Sequence, residues 1–184
     1  MAVRSALFSV LAGLSVATAA WAEPTAGSDT PSGEPGAWRS QKVEFVYMGF
    51  TSTYSCDGLQ SKLELLLRQL GAKPGFKVNS YGCDRGPGRP SRFARATVEF
   101  SALQPTDGAA ASDSPITGSW RAVELSPNHP FDLQDGDCEL LEQFRDKILP
   151  LFAIRALQAR VTCVPHQDTG GPFDLQLQVF VPLK

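Results

Sequence analysis

The sequence has few of the residues, and none of the motifs, that usually mark a catalytic or metal site. Its two histidines and four cysteines show neither the C-x-x-C nor the H-x-x-x-H spacing that is typical of zinc sites. The G-x-S-x-G turn of serine hydrolases and a glycine-rich phosphate loop are also missing. We therefore predict no metal, no cofactor and no catalytic residue, and we expect a protein that is not an enzyme.

Neither sign of charge is in large excess. The chain has 17 basic and 19 acidic side chains, which gives a net charge of −2. Such a balance provides no general attraction to nucleic acid or to an anionic membrane surface. We therefore predict no nucleic-acid partner.

The one long apolar run lies at the N-terminus. Residues 6–20 are almost entirely apolar, Arg4 precedes them, and the small residues Ala20 and Ala22 follow, as in a secretory signal with its cleavage site. The run is shorter than the roughly 20 residues of a membrane span, although a retained N-terminal anchor is the alternative. We predict that residues 1–22 are a signal peptide cleaved near Ala22. The mature chain would then have no membrane span and be periplasmic or secreted.

A segment rich in proline, glycine, serine and threonine follows the signal. Trp38 is the only aromatic residue in 23–40. A segment of this composition has too little apolar surface to bury and so does not fold by itself. We predict a flexible leader at 23–40 and a single globular domain at 41–184, which is an ordinary domain size.

Apolar periodicity and capping residues predict two helices and six strands in this domain. The helices are predicted at residues 56–70 and 138–149, and the strands at residues 42–50, 76–83, 92–103, 119–125, 154–164 and 173–183. Both halves run strand, helix, strand, strand, and in each half one cysteine begins the helix and another ends the next strand. This repetition predicts an internal duplication, with repeats at 41–103 and 118–184 joined by a loop at 104–117.

The alternation of the last strand predicts how the layers are arranged. Apolar side chains from Phe173 to Leu183 occupy every second position, so one face packs on the helices and the other meets water. We predict an α+β fold, a two-layer α/β sandwich in which both helices cover one face of a mixed six-stranded sheet. The other face should be rich in glutamine and arginine, and it is either simply solvated or a binding surface.

The cysteine placement favours one disulfide in each half. Four cysteines allow three pairings, and a helix followed by a returning strand brings Cys56 near Cys83 and Cys138 near Cys163. Each bridge would stabilise the fold by about 3 kcal/mol. Cys83 has the wrong parity for its strand, so we expect a bulge near Gly82. An even number of cysteines in an exported chain is typical of structural disulfides. The alternative is a thiol nucleophile at the start of a helix.

A loop with four arginines is the clearest basic feature. Arg85, Arg89, Arg92 and Arg95 lie within eleven residues of one another, and guanidinium groups suit phosphate and carboxylate ligands. We treat them as candidate contacts for an anion or a partner, with a solvated hairpin loop as the alternative.

Four acidic residues cluster before and at the start of the second helix. Asp132, Asp135, Asp137 and Glu139 lack the ligand order of a calcium-binding loop. Capping by Asp137 and the helix dipole explain acidic residues at this place, so we predict a structural role for them.

These features predict an exported, disulfide-stabilised envelope protein that acts as a non-enzymatic binding or interaction module. Its partner would be an envelope protein or an anionic envelope polymer. The alternative function is that of a thiol-dependent hydrolase or transferase, which would use Cys56 or Cys138 with a histidine.

Overall fold

The computed structural model describes residues 33–83, 91–106, 116–164 and 173–183. The strands are β1 (Glu34–Met48), β2 (Lys77–Tyr81), β3 (Phe93–Pro105), β4 (Ile116–Leu125), β5 (Ile154–Val161) and β6 (Phe173–Pro182). The helices are α1 (Cys56–Gln69) and α2 (Cys138–Lys147). The predicted signal peptide at 1–22 and the leader up to residue 32 lie outside the described residues. In the described ranges, neither helix is long and apolar enough to cross a membrane.

The six strands form one sheet in the order β2-β3-β1-β4-β6-β5, and every neighbouring pair is antiparallel. The predicted six-stranded α+β fold is confirmed, whereas the predicted mixed sheet is wrong. The reason is the third strand of each half. Each helix joins two strands of the same direction, β1 to β2 and β4 to β5. However, β3 and β6 insert between the members of these pairs, so that every neighbour becomes antiparallel.

The first strand begins at Glu34, eight residues before the predicted start at Lys42. Ala37 is buried, and the ammonium group of Lys73 lies 5.8 Å from the centroid of the Trp38 ring. Residues 36–48 pair with β3 along their whole length. These tertiary contacts hold residues 34–40 in the sheet, although the composition of this segment does not favour a strand.

The two halves of the sheet meet over a short pairing of β1 and β4. Only Glu34–Gly36 and Ile116–Gly118 pair in the described residues. The buried side chains of Leu103 and Phe180 cover this junction on the face away from the helices. A Cβ atom on Gly118 would lie 2.4 Å from the Phe180 ring and 2.9 Å from Leu103. The absence of a side chain at Gly118 therefore lets this small apolar cluster close over the junction.

Both helices pack on the same face of the sheet. The Ser55 hydroxyl accepts the Gly58 N–H at 3.1 Å and caps α1, and Gly71 ends this helix with a φ of +74°, in the left-handed region where glycine has no Cβ clash. The buried side chains of α1 and α2 join one core with the inward residues of the strands. These helix residues are Leu59, Leu63, Leu66, Leu67, Leu140, Leu141 and Phe144. Each buried leucine or phenylalanine stabilises the fold by about 1.5–3 kcal/mol.

Each disulfide ties the start of a helix to the strand that follows it. Cys56 is bonded to Cys83 and Cys138 to Cys163, with Cα–Cα distances of 5.2 and 5.6 Å. Gly82 explains the parity of Cys83. Strand β2 ends at Tyr81, and Gly82 then adopts a φ of +68°, which turns Cys83 into the core. The expected bulge is therefore a glycine turn just beyond the strand.

All four cysteines of the chain are paired, and none is free. The alternative of a thiol nucleophile at Cys56 or Cys138 is therefore wrong for this structure, since a sulfur in a disulfide is not a thiolate. Two disulfides are typical of proteins that work in an oxidising compartment outside the cytoplasm.

Candidate functional site

The strand register brings four exposed apolar side chains together at one end of the helix-free face. Met48 on β1 lies directly opposite Phe93 on β3, and the next row holds Val46, Arg95 and Tyr81 on three adjacent strands. Side chains that face each other in this way are about 4.5–5.5 Å apart at Cβ. Val46, Met48, Tyr81 and Phe93 are 45%, 45%, 44% and 53% exposed. We call these four residues the apolar end patch.

Strand β1 is apolar on both of its faces at this end. Phe45 and Tyr47 point into the core and are fully buried, whereas Val46 and Met48 point away from the helices. A strand that only covers a core needs apolar side chains on one face. The second apolar row therefore has no role in the helix-packed core, and a contiguous group of exposed apolar side chains is typical of an interaction surface.

Hydrogen bonds orient one member of the patch, Tyr81. The Glu44 carboxylate accepts the Tyr81 hydroxyl at 2.8 Å and the Thr97 hydroxyl at 2.7 Å. These hydrogen bonds, from Thr97 first and Tyr81 second, lower the pKa of Glu44, so the carboxylate that orients Tyr81 stays ionised near neutral pH.

The end of β1 is also fixed by a side chain of α2. The Met48 N–H donates to the Gln143 side-chain oxygen at 2.8 Å, and the Gln143 amide nitrogen donates to the Met48 carbonyl at 2.9 Å. The amide thus occupies the backbone groups of Met48 that β3 does not use, as a neighbouring strand would. A preorganised surface loses less conformational freedom when a partner binds.

Two of the four arginines that the sequence marks as candidate contacts lie in the described residues. Arg92 and Arg95 are exposed, and Arg95 lies in the row between Val46 and Tyr81. Arg85 and Arg89 lie outside the described residues. The structure therefore places one of the four candidate arginines, Arg95, between apolar side chains of the patch.

The other half of the helix-free face is polar. Gln176, Gln178 and Arg160 lie on it, and Arg155 donates to the Gln178 side chain at 2.7 Å. The Arg155 guanidinium carbon lies 4.2 Å from the centroid of the Trp120 ring, a cation–π distance. The surface predicted to be rich in glutamine and arginine is therefore the half of the helix-free face that is built from β4, β6 and β5.

Two members of the acidic cluster are buried and have protein partners. Asp137 stands at the N-terminus of α2, as predicted for a cap, but its side chain makes no capping bond to that helix. One of its oxygens accepts the Tyr54 hydroxyl, and the other accepts the Gln134 N–H at 2.8 Å and the Lys62 ammonium at 2.7 Å. Burial, reinforced by the Asp137 charge, raises the pKa of Tyr54 far above its ordinary value, so this phenol remains a hydrogen-bond donor.

Glu139 joins the loop after β1 to the start of α2. One oxygen of its carboxylate accepts the Phe50 N–H at 2.9 Å and the Thr51 N–H at 3.1 Å. The other oxygen accepts the same Thr51 N–H at 3.2 Å. The Tyr47 hydroxyl donates to the carboxylate at 3.4 Å. Burial, followed by the charge of Glu139, raises the pKa of Tyr47. Asp137 and Glu139 are thus structural groups, and the described residues contain no cluster of three or more side chains that could hold a metal ion.

The histidines do not assemble a site with these groups in the described structure. His129 is an exposed residue of a tight turn, with its backbone bonded to Ser126. His166 lies outside the described residues. No family model matches the chain, and comparison with curated proteins and with solved structures finds no match either. Inference about function therefore depends on the surface geometry alone.

Proposed function

We propose that this protein is a non-enzymatic interaction module that binds a partner protein through the apolar end patch. The exposed cross-strand pair of Met48 and Phe93, with Val46 and Tyr81 beside it, is the observation that carries the proposal. Covering these side chains removes apolar surface from water, which is worth about 25 cal/mol per Å². The hydrogen bonds of Glu44 and Gln143 orient the Tyr81 side chain and hold the Met48 backbone before binding.

The partner surface that fits is apolar in its centre and acidic at its rim. Arg95 lies between Val46 and Tyr81, Arg92 precedes Phe93 in the chain, and guanidinium groups bind carboxylates through paired, charge-assisted hydrogen bonds. Arg85 and Arg89 are close in sequence and belong to the same proposal. An acidic envelope protein is favoured over an anionic polymer, because a polymer of charged groups would not cover the apolar side chains.

We propose that the protein acts outside the cytoplasm, in the periplasm or after secretion. A signal peptide at residues 1–22, cleaved near Ala22, would deliver it there. The two disulfides support an oxidising compartment. Mass spectrometry of the exported protein should therefore find an N-terminus at Glu23, and a thiol count under denaturing conditions should find no free thiol.

We propose further that the domain arose by duplication of a β-α-β-β unit, with repeats near 41–103 and 118–184. The sheet order supports this, because β2-β3-β1 and β4-β6-β5 place the corresponding strands symmetrically about the β1–β4 junction. One disulfide at a corresponding place in each half supports it as well. If so, the apolar end patch is a specialisation of the first unit, since the second unit has a polar face.

The binding proposal can be tested with one pair of matched variants. A partner captured by cross-linking in envelope extract would be purified, and its Kd for the mature protein would be measured by calorimetry. Phe93→Ser should weaken binding about 30-fold, as expected for an aromatic side chain in the centre of an interface. Leu157→Ser is the control, since Leu157 is 41% exposed on β5. An unchanged Kd for Phe93→Ser, or an equal loss for Leu157→Ser, would contradict the proposal.

A further inference from the structure

A cleft of about 460 Å³ lies on the sheet at the opposite end of β2 from the apolar end patch. Its floor is formed by residues 40–42 of β1 and 99–101 of β3, and its wall by residues 73–77, which lead into β2. The Lys73 N–H donates to the Ser101 carbonyl at 2.9 Å, which fixes this wall against the edge of β3. The whole lining belongs to described parts of the chain.

The cleft has a local excess of positive charge. Lys42, Lys73 and Lys77 line it together with a single carboxylate, that of Glu99. The register places Lys42, Glu99 and Lys77 in one row across three strands. Lys42 and Glu99 form an ion pair at 2.7 Å, and the charge of Lys77 also acts on Glu99. Three ammonium groups therefore share one carboxylate, and the cleft keeps a net positive charge. This excess is a local feature, because the chain as a whole is slightly acidic.

The cleft also offers neutral donors and an apolar wall. The hydroxyl groups of Ser40 and Ser101 lie 3.3 Å apart, and because their mutual bond uses one hydroxyl hydrogen, the other can donate to a ligand. Pro74 and Phe76 line the wall beside these hydroxyls. Together these groups match a sugar phosphate. The ammonium groups suit the phosphate, the serine hydroxyls suit the hydroxyls of the sugar, and the apolar wall suits the C–H face of its ring.

We propose that this cleft is a binding site for a phosphorylated sugar, with Lys73 and Lys77 binding the phosphate group. The Lys73 ammonium lies over the Trp38 ring and so keeps N–H groups for an anion. Glu99, held beside Lys42, limits the affinity, because it is the one negative charge in the cleft. The site is separate from the apolar end patch, and neither Phe93 nor Met48 lines it.

Titration of the ¹⁵N-labelled mature protein, followed by NMR, tests this proposal. Glucose 1-phosphate should produce saturable shifts at the amides of residues 40–42, 73, 75–77 and 99–101, with weaker binding of inorganic phosphate and none of glucose. Lys73→Gln and Lys77→Gln should each weaken binding about sixfold, as expected for a unit charge about 4 Å from the phosphate in a water-like dielectric. Glu99→Gln should strengthen it by a similar factor, because it removes the opposing charge.

Lys147→Gln is the matched control, since Lys147 is an exposed lysine on α2 and should leave the Kd unchanged. Saturable shifts confined to the cleft amides, together with tighter binding of glucose 1-phosphate than of inorganic phosphate, separate a built site from general attraction to a basic surface. The proposal is overturned if the shifts do not saturate, if inorganic phosphate binds as tightly as glucose 1-phosphate, or if Glu99→Gln does not strengthen binding. None of these results bears on the partner protein, whose binding depends on Phe93.

Discussion

Replacement of Glu139 by glutamine tests whether a buried carboxylate holds the two halves of the fold together. Glu139 is 6% exposed and begins the second helix, yet it binds the backbone of the loop that follows the first strand. Glutamine has nearly the same shape and keeps one oxygen for the N–H groups of Phe50 and Thr51. The substitution therefore removes the negative charge while it preserves the packing.

The expected loss of stability follows from the two backbone hydrogen bonds. A hydrogen bond to a charged group contributes about 1.5–3 kcal/mol and a neutral one about 0.5–1.5 kcal/mol, a difference of about 1 kcal/mol for each bond. Glu139→Gln should therefore lower the free energy of unfolding by about 2 kcal/mol. Glu139→Ala removes both hydrogen bonds to the charged group, which contribute about 1.5–3 kcal/mol each, so its loss should be about 4 kcal/mol.

Urea unfolding of the oxidised protein, followed by circular dichroism, measures both losses. With a slope of about 2 kcal/mol per molar urea, the midpoint should fall by about 1 M for Glu139→Gln and about 2 M for Glu139→Ala. Glu142→Gln, which removes a half-buried carboxylate from the same helix, should change the midpoint by less than about 0.25 M. Equal midpoints for the glutamine variants at positions 139 and 142 would refute the reasoning.

Four other variants test the disulfide, the junction and the turn. Loss of the second bridge in the double variant Cys138→Ser/Cys163→Ser should cost about 3 kcal/mol in the same urea assay; no change would mean that the bridge does not constrain the unfolded chain. Gly118→Ala should cost about 1–3 kcal/mol, because the new Cβ would overlap the Phe180 ring; a neutral result would show that the β1–β4 junction is loosely packed. Gly82→Ala should cost about 1–2 kcal/mol from its positive φ alone, since nothing lies within 4 Å of the added Cβ. Gly82→Asn should cost less, because asparagine tolerates this conformation, and the reverse order would contradict this reasoning.

The helices could be predicted closely because their signals are local. Ser55 and Gly71 mark the ends of α1 by capping and by a left-handed backbone conformation, and both effects act within a few residues. The strand order could not be predicted in this way. Whether β3 inserts between β1 and β2 depends on pairing between strands that are distant in sequence, and the periodicity of a single strand is the same in parallel and antiparallel neighbours. The assumption of a mixed sheet failed for this reason.

The acidic cluster shows a similar limit. Helix capping explained why acidic residues precede α2, but capping concerns the helix's own N–H groups. Asp137 and Glu139 instead bind Tyr54, Lys62 and the loop at residues 50–51. These partners lie more than 70 residues away in sequence, so no local pattern could have indicated them.

The alternation of residues in β1 already contained a signal for the apolar end patch. In β1, the odd positions Val43, Phe45 and Tyr47 supply the core, so the apolar residues at Val46 and Met48 exceed what a strand covered on one face needs. That excess predicts a second apolar surface, but it does not say which residues complete it. Phe93 and Tyr81 join the patch only through the register with β3 and β2. A surface made of side chains from three strands is therefore a property of the folded sheet, and its function is best tested at Phe93, where the pairing places the most exposed member of the patch.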